Sequence, residues 1–217
     1  HYGEDLVSLG FVVHLDYSNP YLSPFDEFQS FKTHPKIKNL LAGAKRISYG
    51  ARAINEGGIQ SWPELAFPGG VLIGCSAGMV NVPRIKGTHN AMKSGMLAAE
   101  ACVDGITKPE NINNKILEQY LQKLKASWVW DDLHSVRNVK PLISKYGTTL
   151  GMLFGGFEMW LASFKIKLPW TLHHEQADHE TLVDFEKAKP ISYLKPDGVY
   201  TFDKLSSISL SNIGHEA

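Results

Sequence analysis

VLIGCSAGMVNVPRIKGTHNAMKSGMLAA, residues 71–99, carries three patterns in succession. Val71, Leu72 and Ile73 form a short apolar run between Gly69-Gly70 and Gly-Cys-Ser-Ala-Gly, the signature of a buried strand running into a tight loop. A helical pattern follows, with Ile85, Met92, Met96, Ala99 and Val103 on one face. Gly95, Ala98, Ala99 and Cys102 are small and permit close approach of another backbone. A strand, a glycine loop and a tightly packed helix together leave backbone N–H groups where an anionic or polar ligand can sit. On pattern alone, an ordinary strand–loop–helix joint without a ligand serves equally well.

The chain around this stretch has 217 residues, enough to bury a core in one or two domains. Lys plus Arg (22) equals Asp plus Glu (22), so a net charge of zero argues against nucleic acid or a polyanionic substrate as the main partner. Two cysteines fit a reducing compartment rather than a disulfide framework. Low-complexity segments, internal repeats and a secretory leader are not visible in the pattern.

Along the chain, residues 6–15 (LVSLGFVVHL) are rich in β-formers and predict a strand, followed by turn chemistry over residues 16–24. Residues 25–41 carry a helical pattern that Pro35 divides into two short helices. Residues 45–65 predict strand segments around the loop Asn55-Glu56-Gly57-Gly58, with glycines at positive φ. Residues 112–124 predict a helix burying Ile116, Leu117, Tyr120, Leu121 and Leu124, and residues 127–137 (SWVWDDLHSVR) continue the helical layer. The last fifty residues read as loops with one short strand near residues 199–202.

Residues 146–164 (YGTTLGMLFGGFEMWLASF) form a long apolar run with Glu158 as its only formal charge, trailed by Lys165, Lys167 and Trp170. Such flanks suit a membrane interface, but the run is short of the roughly 20 apolar residues of a spanning helix. A buried core helix and a helix dipping into one leaflet are both open on these residues; in the second case Glu158 must face protein or headgroups. Glycines 147, 151, 155 and 156 permit close packing there.

Other chemistry-bearing residues carry weaker patterns. His173, His174, Asp178 and His179 lack the spacing of a fixed metal site, and no metal ligands are assigned. Cys75 has no CxxC partner and reads as a small residue at a crowded loop. His89 receives no catalytic role, and Asp131, Asp132 and Arg137 read as a solvated helix face.

The run GCSAGMVNVPRIKGTHNAMKSGMLAAEA resembles the second flavin-contacting segment of the electron transfer flavoprotein–ubiquinone oxidoreductases. The likeness extends through SLGFVVHLDYSNPYLSPFDEFQSFKTHP, RISYGARAINEGGIQSWPELAFPGG, SWVWDDLHSVRN, PWTLHH and YLKPDGVYTFDKLSSISLSN, nearly the whole chain. It implies an α/β fold: part of an FAD-dependent oxidoreductase of glutathione-reductase type, a mixed sheet with helices and a monotopic membrane helix over residues 146–164. It implies residues 1–66 as a quinone-side sheet and helices, 67–108 as the C-terminal segment of the FAD domain, and 109–217 as a helical quinone and membrane region with a loop-rich tail.

By the same resemblance, the whole enzyme passes electrons from reduced electron transfer flavoprotein to ubiquinone at a bacterial or mitochondrial inner membrane, using FAD and a [4Fe–4S] cluster. Asn81 and Thr88 match positions that hydrogen-bond the flavin ring. Gly74, Cys75 and Ser76 match the loop passing the ribityl and phosphate end. Gly87 and Thr88 would offer N–H groups near N1 and O2 of the ring, where the positive helix end favours the reduced flavin. Cys75 stands where many related flavoproteins have Asp. Gly57 and Gly58 are not the pair that contacts quinone in the family. The chain has no GxGxxG and two cysteines rather than four, so it reads as an internal fragment, about the middle third of the enzyme and inactive alone. Two alternatives stay open: a flavin-dependent isoprenoid reductase of the same superfamily, and a non-enzymatic membrane-anchoring or assembly segment.

Overall fold

The computed structural model describes residues 1–3, 5–107, 112–166, 168–174 and 177–212, with the side chains of 112–117 outside the description. The chain divides into two compact units, His1–Arg52 with Gln176–Ala217, and Ala53–Glu175.

In the first unit, Ser23 caps helix α1 (Pro24–Lys32), its hydroxyl accepting the Asp26 N–H. Helix α2 (Pro35–Leu40) starts on Pro35, so the predicted division holds. The two ends of the chain are joined here by side chains. Gln29 is buried and accepts the Phe202 N–H at 2.9 Å, and Arg46 donates to Ser207 Oγ at 2.7 Å. The Arg46 guanidinium also lies 3.8 Å over the Phe202 ring. Lys32 is buried between the rings of Phe28 and Phe202, and burial, then the nearby Arg46 charge, lowers its ammonium to about 8.

Three strand expectations need correction. Residues 6–15 are irregular, with only the Tyr2–Leu6 bridge beside them, and residues 45–55 are irregular as well. Strand-forming residues become a strand only when a neighbour completes the ladder, and no described residue does so. Residues 199–202 are a turn instead: Asp197 Oδ1 accepts the N–H groups of Val199, Tyr200 and Thr201. These bonds, Thr201 and Val199 first, hold its carboxyl far below the ordinary range. Helix α7 (Lys204–Ile208), not anticipated, starts behind it on an Asp203 cap.

The second unit contains the only sheet among the described residues, the antiparallel pair β1 (Ala66–Phe67) and β2 (Gly70–Val71). Leu72 extends the pairing by donating to Leu65 O at 2.8 Å, and the chain then enters helix α3 (Thr88–Thr107) through two 3-10 turns. Helix α4 (Ile112–Lys125) packs along α3, and α5 (Trp128–Ser135) closes the layer. Met79, Ala101, Tyr120, Leu124, Val129 and Leu133 form the centre of the core. Tyr120 and Leu124 are buried as expected, while Ile116 and Leu117 lie outside the described side chains. Tyr120 donates to Leu72 O at 3.1 Å, and burial pushes its phenol up to about 12. Lys123 on α4 reaches Glu100 and Asp104 on α3 at 3.3 and 3.4 Å.

The apolar stripe of α3 faces away from this core: Met92, Met96 and Val103 are exposed, and α3 buries Asn90, Ser94, Leu97, Ala98, Ala101 and Gly105. Leu97 and small residues make the buried face of α3, and Met92, Met96 and Val103 are left outside it.

Helix α6 (Val139–Ser163) is broken at Gly147, where φ 75 and ψ 174 are not helical. The two limbs fold back on each other. A Cβ on Gly151 would lie 2.7 Å from the Leu142 carbonyl oxygen, and one on Gly155 would lie 3.3 Å from Val139 Cγ1. Leu153, Phe154, Phe157, Trp160 and Phe164 are exposed on the second limb. Among the described residues no helix is long and apolar enough to cross a membrane.

Candidate functional site

The turn Gly74–Ala77 is pressed onto α3. Gly74 has φ 57, and a Cβ there would lie 2.7 Å from Ala91 Cβ, so its lack of a side chain allows the contact. Its N–H donates to Ser94 Oγ, itself fully buried, at 3.1 Å. Cys75 and Ser76 are on the exposed side of the turn.

From Met79 the chain makes a small closed loop. Asn81 N–H donates to Lys86 O at 2.8 Å, and Asn81 Oδ1 accepts the Arg84 N–H at 3.3 Å. Ile85 stands in this loop at φ 51 and is 79 % exposed. A β-branched residue in the left-handed region stores roughly 1–3 kcal/mol, so the surrounding bonds impose the loop's shape. Gly87 packs against Val80, where a Cβ would approach Val80 Cγ2 to 3.3 Å. Thr88 opens α3, whose first-turn N–H groups have no intrahelical acceptors. The positive end of a 20-residue helix therefore opens beside the glycine turn.

Asp132 on α5 gathers this loop. It accepts from Asn81 Nδ2 at 3.0 Å, Asn90 Nδ2 at 3.3 Å and Arg84 Nη1 at 2.9 Å, and lies 3.3 Å from His89 Nε2. Asn81 and Asn90 are fully buried. The His89 ring stacks on Trp128, 5.7 Å away and 8° from parallel. Burial alone would raise the Asp132 pKa; the bonds from Asn81, Asn90 and His89, with the Arg84 charge, outweigh it and hold the carboxyl below its ordinary value. Asn90 Oδ1 is buried with no partner, an acceptor left over inside the cluster.

Asp132 is therefore no solvated face residue, and neither is Arg137. Arg137 is buried and binds the carbonyls of His134, Leu168 and Trp170 at 2.7, 2.8 and 2.7 Å, and Thr171 Oγ1 at 2.9 Å. The signal in the sequence was the phase of α5: position 132 is three residues on from the buried Val129 and so flanks the face that Val129 and Leu133 bury. The six sequence-predicted residues, Gly74, Cys75, Ser76, Asn81, Gly87 and Thr88, all lie in the connection leading into α3 or at its first residue. Glu175 and Gln176, within the histidine-rich run, lie outside the described residues, as does Lys167.

Residues 1–54 match the family model described as "ETF-QO, ubiquinone-binding". Over 99 % of its length the chain is 53 % identical to the mitochondrial electron transfer flavoprotein–ubiquinone oxidoreductases of Rattus norvegicus and Homo sapiens, covering 35 % of each. Over all of its length it is 45 % identical to the protein of that name from Dictyostelium discoideum, covering 37 % of it. In sequence the chain is thus similar to a segment of these oxidoreductases and spans about a third of their length.

Proposed function

We propose that this chain is the central part of a membrane-associated flavoprotein that takes electrons from reduced electron transfer flavoprotein and delivers them to ubiquinone. The observation that carries the reading is the 53 % identity over 99 % of the chain to oxidoreductases of that name. Residues 1–54, matched by the ubiquinone-binding model, would form the quinone side.

The residues present fit a flavin. Gly74 and Gly87 let the turn and the loop press onto Ala91 and Val80, where a Cβ would collide or crowd, and the start of α3 offers N–H groups. The buried Asn90 Oδ1 awaits a donor. FAD, when bound, would accept and release the electrons. Gly74, Cys75 and Ser76 would pass its ribityl and phosphate end, and Gly87 and Thr88 would face the ring. The Asn81 amide is already engaged with Asp132 and the Arg84 N–H, so Asn81 would act by fixing the loop that carries them. A [4Fe–4S] cluster needs four thiolates, and Cys75 with Cys102 cannot supply them.

The second limb of α6 would lie in one leaflet with Phe154, Phe157 and Trp160 downward, at a bacterial or mitochondrial inner membrane. Glu158 supports that orientation, because its Oε1 lies 3.4 Å from Asn138 Nδ2 on the protein side.

The test is the longer protein containing this segment, purified in detergent. It should show flavin and iron–sulfur absorbance and turn over reduced electron transfer flavoprotein catalytically only when a ubiquinone analogue is present. Flavin absorbance without quinone-dependent turnover would reject the electron-transfer reading. Replacing Leu153, Phe154, Phe157 and Trp160 by Ser should release the protein from membranes with the flavin spectrum intact. Loss of flavin with membrane binding retained would make the limb a core helix instead.

A further inference from the structure

Behind the aromatic face of α6, a cleft of about 370 Å³ opens between α5 and the second limb. That volume lies within the range of small-ligand sites, roughly 300–1,000 Å³. Ala162, Ile166 and Leu168 supply its apolar lining. Among the described residues its charged lining is Asp131, Glu158, Arg137 and Lys165, two of each sign, with the imidazole of His134 beside them. Arg137 braces the wall, its N–H groups held by the carbonyls of residues 134, 168 and 170. Lys165, exposed and at φ 62, follows the C-terminal end of α6 beside the exposed Phe164.

This balance selects among headgroups. A purely anionic group would meet Asp131 and Glu158 as well as the cations, so it gains little from the site. A group with one phosphate and one ammonium is complementary to both halves. The carboxylates discriminate further: a primary ammonium donates charge-assisted hydrogen bonds to them, whereas a quaternary ammonium donates none and is recognised by aromatic faces. Among the described residues no Phe, Tyr or Trp lines the cleft. We propose that the cleft takes the headgroup of a phosphatidylethanolamine-type lipid, its phosphate toward Lys165 and its ammonium toward Glu158 and Asp131. The assignment rests on the membrane reading of α6 and adds to it a choice of lipid.

Vesicles of phosphatidylcholine alone, with one third phosphatidylethanolamine, with one third N,N-dimethyl-phosphatidylethanolamine, or with one third phosphatidylglycerol separate the possibilities by co-sedimentation of the full chain. Binding should be tightest with phosphatidylethanolamine, by about tenfold over phosphatidylcholine for one charge-assisted bond, and should fall with N-methylation. Glu158→Gln and Asp131→Asn should each reduce that preference while binding to phosphatidylcholine stays unchanged. Asp131 is exposed, so its variant keeps the test sound if the Glu158 variant does not fold. Equal binding to phosphatidylcholine and phosphatidylethanolamine, tighter binding to phosphatidylglycerol, or a preference retained in both variants overturns the proposal and leaves the membrane reading standing. No binding to any vesicle overturns both.

Discussion

The side chains of Asn81 and Asp132, 51 positions apart in the chain, meet at 3.0 Å, and this bond ties the loop before α3 to α5. Asp132→Ala would leave Asn81 and Asn90 with buried unpaired donors, so stability should fall by about 1–3 kcal/mol, read by urea unfolding at pH 7. The folded-state pKa of Asp132 is depressed, so its contribution is complete above the ordinary carboxylate value and is lost as pH falls through the lower folded value. The Asp132→Asn variant should accordingly lose less stability than the parent when both are taken from pH 5 to pH 2. Parallel acid limbs would show that the carboxylate does not matter.

Thr88 can be tested apart from the hub. In the flavin-loaded longer protein, Thr88→Ala should lower the flavin potential, because it removes a donor to the more negative, reduced ring. A hydrogen bond to a charged group is worth about 1.5–3 kcal/mol. Spectroelectrochemical titration giving the parent's potential would remove Thr88 from the flavin contacts.

Ile85 is a rare position where deleting a side chain should help. It is 79 % exposed at φ 51, so glycine relieves strain while giving up little burial. Ile85→Gly should raise stability by ~1 kcal/mol, the strain relieved less the entropy that glycine adds to the unfolded chain. A lowered unfolding midpoint would mean that the isoleucine packs more than its exposure indicates.

Two glycines of α6 should respond in opposite directions. Gly151→Ala drives a methyl group into the first limb and should cost about 1–3 kcal/mol. Gly156→Ala meets nothing within 4 Å and should gain ~0.5–1 kcal/mol from helix propensity. Equal effects in thermal unfolding would refute the folded-back hairpin.

Lys32 makes stability of the first unit rise with pH. Its folded value of about 8 lies below its unfolded 10.5, so between these values the unfolded chain binds more protons. The parent should gain up to ~3 kcal/mol relative to Lys32→Met between pH 7.5 and pH 10.5. Urea midpoints that move together in the two proteins would place Lys32 in water.

The helices were legible where their cause was local. Pro35 divided α1 from α2, and the apolar spacing around Tyr120 and Leu124 marked α4. The glycines of residues 146–164 announced close packing, though not that Gly147 would reverse the chain. What stayed hidden depends on distant partners. Residues 6–15 have strand composition but no ladder, and composition alone supplies no neighbour. Asp132 looked like surface because its ligands, Asn81, Arg84, His89 and Asn90, lie 42 to 51 positions away. Helix α7 is five residues long, too short for a period, although Asp203 followed by Ser206 was a readable cap.

The first unit is closed by bonds between residues 160 to 173 positions apart, Arg46 to Ser206 and Ser207, Ser23 to Tyr193 and Phe202 to Gln29 among them. During synthesis α1 and α2 emerge long before the partners that bury them, while the α3–α5 core can close within its own stretch of chain. Closure of so long a loop pays its entropy before any contact rewards it, so the order of assembly is core first and clasp last. In that interval the chain exposes Phe25, Phe28 and Phe31 with Lys32 unburied, and this is when it most needs a chaperone.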